Sequence, residues 1–422
     1  MLTLTILAHC RTNKSTTLKA RYYSLDVFRG ATVAFMILVN SPGSWAHIFS
    51  PLGHAKWHGL TPTDLVFPFF LFAVGNAMAF VMPRLEVAGP AAFWRKVAKR
   101  TALIFGIGLL LNWYPFVHWV EGALVAKGWT WTKGDGTTGG VRILGVLQRI
   151  ALCYFFGSIL VYYFKARGAF LAGLIILLLY WAFCIAGNPA DPYSLEGWFG
   201  TAIDKAILGE PHLYRGEGVA FDPEGLVSTL PAIVQVIFGY LVGDYLRRRN
   251  LYLQEAGAKT ESSQHLYQTI AVLLLSATAL LFTAYAWNLS FPINKKIWTS
   301  SYVCATTGLA IAVLATLVYF IEIRKATGGW SRFFDVFGKN PLFIYALSGL
   351  IPKTLSVIRI PDGTDVSGSA QYTNPWSWFY DHVCANIPGI PEIGSLVFAL
   401  CFVGLLWAVG YWMDKRRIYV RV

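Results

Sequence analysis

Three histidines lie close together in the chain, His47, His54 and His58, in a stretch rich in Trp, Gly and Pro. Imidazole titrates near neutral pH, so each is a candidate to take or deliver a proton. A lone loop histidine is most simply a solvated side chain. His54 differs in its setting: Gly53-His54-Ala55-Lys56-Trp57-His58-Gly59 hangs between two apolar runs, one carrying Asn40 near its end and the next beginning at Asp64. Asp64 has a plain role as an N-terminal helix cap and a chemical one, orienting a histidine or an amine. Asn40, before Ser41-Pro42-Gly43, has the plain role of ending a helix.

Other polar residues interrupt apolar runs. Asp26 and Arg29 are spaced to share a helix face, either as an interfacial ion pair or as a functional pair. Gln148-Arg149 opens another run, and an arginine buried there needs a partner or an anionic ligand because it cannot neutralise. Asp222-Pro223-Glu224-Gly225-Leu226 reads as an acidic helix start, and Lys295, Lys296 and Trp298 as ordinary interfacial anchors. Lys339-Asn340-Pro341 breaks a late apolar run, which is tolerated where a broken helix lines a cavity. Together these outline a polar pocket inside an apolar bundle.

The elements that must hold them follow from composition. Of 422 residues, 55% are hydrophobic and only 14% charged, against about 25% charged in soluble proteins. An ordinary solvated surface, disorder and a disulfide scaffold are excluded. Ten segments are apolar enough to cross about 30 Å of hydrocarbon, namely 25–45, 62–82, 98–116, 144–164, 169–187, 227–246, 268–288, 300–322, 334–354 and 393–413. An all-α polytopic membrane protein of about ten helices in the lipid bilayer is expected. Residues 1–20 read as a cytoplasmic tail and 21–422 as one transmembrane domain. The net charge of +13 suggests no nucleic acid. Its Lys and Arg fall in short clusters after apolar runs, such as Arg95, Lys96, Lys99 and Arg100, or Arg247-Arg248-Arg249, as the positive-inside rule expects. That pattern puts both termini in the cytoplasm, and the His54 loop outside with the long connections 117–143, 188–226 and 355–392. The six cysteines are scattered without metal-ligand spacing, so no metal is expected.

Read in order, Ser24–Gly30 (SLDVFRG), Val39-Asn40, Gly53–Phe70 (GHAKWHGLTPTDLVFPFF), Arg142–Arg149 (RILGVLQR), Asp222–Leu226 (DPEGL), Asn294–Tyr302 (NKKIWTSSY) and the Asn340 region resemble the heparan-alpha-glucosaminide N-acetyltransferase family. The resemblance runs from residue 21 to about 350. It implies acetyl-CoA as co-substrate, bound from the cytoplasmic side, and transfer of acetyl to an amino sugar across the membrane. A bacterial inner-membrane enzyme acting on a small amino sugar is expected, since the family's large luminal region and extra first helix have no counterpart here. The family's catalytic histidine falls on His54 and its active-site asparagine on Asn40. The stretch between them is longer here, which keeps His47 as a rival. The same assignment makes Asp64 a catalytic partner and places Asp26, Arg29, Arg100, Gln148, Arg149 and Asn340 as candidates to hold the co-substrate. His54 suits proton removal from the attacking amine, and Asn40 suits the oxyanion. A covalent acetyl relay on His54, an amino-sugar transporter, glycan O-acylation and a homodimer stay open.

Overall fold

The computed structural model describes residues 22–120, 122–132, 136–255, 263–364 and 370–420. The tail expected at 1–20 lies outside them. Helix dominates: α1 is Tyr23–Asn40, α2 Val66–Ala88 and α3 Pro90–Trp113, followed by two short antiparallel hairpins, β1 Val117–Val120 with β2 Ala123–Ala126 and β3 Thr130–Thr132 with β4 Thr138–Gly140. Helix α4 is Val146–Gly187, α5 Gly200–Leu208, α6 Leu226–Glu255, α7 Ser263–Asn288 and α8 Ser300–Val318. The chain ends with α9 Gly329–Lys339, α10 Pro341–Leu355, the hairpin β5 Ile360–Thr364 with β6 Ala370–Thr373, α11 Pro375–Phe379 and α12 Pro391–Lys415. The three long polar connections are thus partly ordered, by the hairpins and by the short helices α5 and α11.

All ten expected apolar segments are helical over most of their length. Among the described residues, six helices are individually long and apolar enough to cross a membrane: Pro62–Ala88, Val146–Gly187, Leu226–Tyr252, Gln264–Asn288, Ser300–Ile323 and Pro391–Lys415. Three of the expected segments fall short for visible reasons. Helix α1 carries Asp26 and Arg29, α3 has four cations in its first half, and the ninth segment is two helices, α9 and α10, divided at Asn340.

Helix α4 merges two expected segments, and its geometry separates them again. Lys165 leaves helical geometry at φ 57°. Arg149 lies over the Trp298 ring and Tyr180 donates to the carbonyl of Ile297, so residues 31 apart reach one point. A straight helix would hold them about 46 Å apart. Helix α4 therefore doubles back at Lys165, and its two halves run antiparallel.

Close approach of backbones binds the bundle, as it does where lipid offers no hydrophobic drive to associate. A Cβ built on Gly239 of α6 would lie 2.1 Å from the carbonyl oxygen of Phe72 in α2, and one on Gly30 of α1 would lie 1.7 Å from that of Phe334 in α9. Neither position admits a side chain without moving a helix. Alternating helix directions then gather the polar residues at two ends. One end carries the His54 loop, Lys295, Arg149 and the Asp222–Gly225 turn. The opposite end joins the start of α1 to the end of α8, where Glu322 accepts the Ser24 amide at 3.0 Å.

Candidate active site

Asp64 is the pivot of the first end. Residues Pro62–Leu65 form a 3-10 turn entering α2, with Thr61 as its cap. The Asp64 side chain is 1% exposed and accepts four hydrogen bonds in addition to an ammonium. Its Oδ2 takes the amides of Ala55 and Thr61, both at 3.1 Å, and the Thr61 hydroxyl at 3.0 Å. Its Oδ1 lies 2.7 Å from Nδ1 of His54. A carboxylate only accepts, so Nδ1 carries the hydrogen in this pair and Nε2 holds the lone pair. The Tyr302 hydroxyl donates to the Asp64 carbonyl at 2.6 Å, tying the turn to α8.

Lys295 completes a triad. Its Nζ stands 3.0 Å from Nδ1 and 3.5 Å from Nε2 of His54, and 3.4 Å from Oδ1 of Asp64. Burial lowers the pKa of this amine, against the opposing pull of Asp64 and Glu224. Asn294 shapes the Lys295 turn: its Oδ1 accepts the amides of Lys296 at 2.7 Å and Ile297 at 3.1 Å. From sequence Lys295 reads as an interfacial anchor, and the fold instead brings it to His54 and Asp64. The signal that could have found it is the pair Lys295-Lys296 on the side where basic residues are scarce.

A second ionic cluster adjoins the first. Arg142 grips Asp222 in a fork, Nε to Oδ2 at 2.9 Å and Nη2 to Oδ1 at 2.6 Å, contacts Glu224, and lies over the Tyr214 ring. Burial disfavours the guanidinium, yet Glu224 and Asp222 raise its pKa on balance. Burial likewise opposes the Glu224 charge, and Arg142 holds that carboxyl below its usual value. Arg149, 0% exposed, donates to the carbonyl of Gly225 at 3.1 Å and to the Ser228 hydroxyl. Asp204 of α5 accepts the Leu226 amide at 2.9 Å, and burial pushes its pKa up to about 6.

No family model matches the chain. A search of curated proteins finds the human (Homo sapiens) heparan-alpha-glucosaminide N-acetyltransferase, 27% identical over 78% of this chain and 52% of that protein. The mouse (Mus musculus) protein of the same name is 26% identical over 77% and 53%. The chain is a distant relative of these acetyltransferases. It spans about half the length of the curated relatives it matches.

In this relative of the N-acetyltransferases, the residues singled out from sequence divide between the two ends. His54, Asp64, Gln148 and Arg149 lie at the first. Asn40 is exposed as the last residue of α1, at the same end of that helix, and makes no hydrogen bond to His54 or Asp64 among the described residues. His47 is exposed and apart from the triad, beside α12 residues Glu392 and Ser395. Asp26 and Arg29 pair at 3.0 Å in the first turns of α1, about 20 Å along the helix from Asn40. Asn340 is with them: Gly338 abuts the Asp26 carbonyl. Its carboxamide donates to Ile418 at 3.0 Å and accepts from Val420 at 2.8 Å, which pins the segment after α12. Arg100 sits between the ends, 4.7 Å over the Tyr154 ring. The six co-substrate candidates are therefore not one cluster. No group of three or more metal-ligating side chains occurs among the described residues.

Proposed function

We propose that this protein is a transmembrane N-acetyltransferase that moves an acetyl group from cytoplasmic acetyl-CoA to the amino group of a glucosamine-type sugar on the periplasmic side of a bacterial inner membrane. Residues 21–422 act as one unit of about ten spans with both termini in the cytoplasm. The observation that carries the reading is the 2.7 Å pair of a partly exposed His54 and a buried Asp64. The relatives' name supplies the reaction class.

The amine nitrogen attacks the thioester carbonyl carbon. A C–N bond forms and the C–S bond breaks. Nε2 of His54 takes the proton from nitrogen, and the departing CoA sulfur accepts it back. Asp64 fixes the tautomer and stabilises the imidazolium. The Lys295 ammonium and the Asn40 carboxamide are the donors for the developing oxyanion. Gln148 and Arg149 lie on the His54 side and suit the acyl end of the co-substrate. Arg29, paired with Asp26, and Arg100 suit its anionic phosphate end, toward the cytoplasm.

A transporter reading draws on the helix number, the midplane polar residues and the break at Asn340; the carboxamide at that break is engaged by Ile418 and Val420. Purified protein in detergent, given acetyl-CoA and glucosamine, is expected to release free CoA and N-acetylglucosamine in equal amounts. An intact thioester after long incubation would refute the enzyme reading.

A further inference from the structure

Beside the triad lies a groove of about 530 Å³, within the size range of small-molecule sites. Three segments build it. One side is Lys56, Trp57 and His58, directly after His54; the others are the 190–196 turn and Glu217. The Trp57 indole donates to the Tyr193 carbonyl at 2.8 Å, fastening the first two segments together. Lys296, next to Lys295, donates to the Lys56 carbonyl at 2.7 Å and to Glu217 at 2.5 Å, fastening the third. The groove is thus anchored to the same turn that holds the catalytic lysine.

Its walls combine aromatic rings with carboxylates. Trp57 and Tyr193 are half-buried, and Asp191 and Glu196 are exposed. Burial lowers the pKa of His58, and the Asn294 carboxamide lies 3.4 Å from its Nδ1. The cations at the groove are Lys56, which is exposed, and Lys296, which Glu217 engages. Asp191 accepts from the Ser194 hydroxyl at 2.5 Å, and Glu196 has no hydrogen bond or ion pair among the described residues.

We propose that this groove is the acceptor site and selects a hexosamine by its protonated amine, held by Glu196 and Glu217 with the sugar against Trp57 and Tyr193. This rests on the acetyl-transfer reading and adds its acceptor subsite. Ammonium groups are favoured both by carboxylates and by aromatic faces. The bound ammonium first gives one proton to bulk water, which frees the lone pair that attacks, and the second leaves through His54 to the CoA sulfur; the neutral amide that results no longer draws the carboxylates, so the groove releases the product.

The test compares the full-length protein in detergent with Glu196→Gln/Glu217→Gln, Trp57→Ala and Lys56→Ala. Binding of glucosamine and N-acetylglucosamine is followed by ligand-observed NMR, and transfer by CoA release. The parent is expected to bind glucosamine at least tenfold more tightly than N-acetylglucosamine. The double variant should raise the glucosamine KM at least tenfold with the acetyl-CoA KM within twofold. Lys56→Ala, which removes a competing cation from an exposed position, should lower the glucosamine KM even if the double variant fails to fold. Equal binding of the two sugars, or turnover whose glucosamine KM ignores every substitution, overturns the groove and leaves acetyl transfer standing. Selective glucosamine binding that these substitutions alter, without any acetyl-CoA turnover, supports the groove and overturns the transfer reading instead.

Discussion

Lys295 stands 3.0 Å from Nδ1 of His54, although α2 through α7 separate the two in the chain. An ammonium and an imidazole share one buried carboxylate, and the arrangement has a pH signature. Burial depresses the Lys295 pKa, so its charge is lost at lower pH than in a solvated lysine. Transfer that depends on the ammonium should fall on the alkaline side as Lys295 deprotonates. Lys295→Arg, which stays charged, should extend activity to higher pH at some cost in rate, and Lys295→Met should lower kcat at all pH values. A kcat profile from pH 6 to 10 checks this; an identical alkaline limb in the Arg variant would remove Lys295 from the chemistry.

His54→Ala should cut acetyl transfer by about 10² or more, the range for a general acid or base. Asp64 keeps its Ala55, Thr61 and Lys295 partners in that variant, so detergent melting should be little changed. His47→Ala should be mild, because His47 lies apart from the triad. An essential His47 with a dispensable His54 would transfer the proton-relay role to the wrong-looking residue and sink the dyad.

Asp204 predicts an acid-side stability change. Its folded pKa of about 6 lies above the ordinary 3.8, so the folded state holds the proton more tightly than the unfolded one. Well below pH 3.8 both states are protonated and the burial cost is absent; it grows as pH rises through 3.8 and is complete above about 6. The full difference is about 3 kcal/mol at 1.36 kcal/mol per unit. Melting temperature should therefore decline from pH 4 to 6.5 in the parent by more than in Asp204→Asn. Parallel curves would assign Asp204 no such cost.

Arg149→Lys should destabilise the protein by about 1–3 kcal/mol, the cost of leaving buried groups unpaired. A lysine cannot serve the Gly225 carbonyl, the Ser228 hydroxyl and the Trp298 face with one planar group. Thermal unfolding in detergent measures it, and a parent-like transition would mean that these contacts are slack.

A cysteine placed at Lys56 should react with a membrane-impermeant thiol reagent in whole cells, in a background lacking Cys10 and Cys384. Lys56 is exposed beside His54, and the proposed orientation faces that loop outward. Labelling only after lysis would invert the orientation.

Composition and apolar run length are enough to specify helices and the approximate extent of each apolar segment, because hydrocarbon leaves a backbone few ways to satisfy its hydrogen bonds. The sequence also marks His54 and Asp64, since a histidine loop and a capping aspartate lie only ten residues apart and local geometry can join them. What it cannot decide is which distant polar residues meet. Lys295 reaches His54 only because the α7–α8 turn folds over the start of α2, and Arg149 reaches Trp298 only because α4 reverses at Lys165. The same packing sends Asn340 to the far end, where it holds the C-terminal segment. Hydrophobic periodicity fixes a helix in lipid but is blind to its neighbours; those are chosen by backbone contacts such as Gly30 on Phe334 and Gly239 on Phe72, which exist only once the bundle has closed.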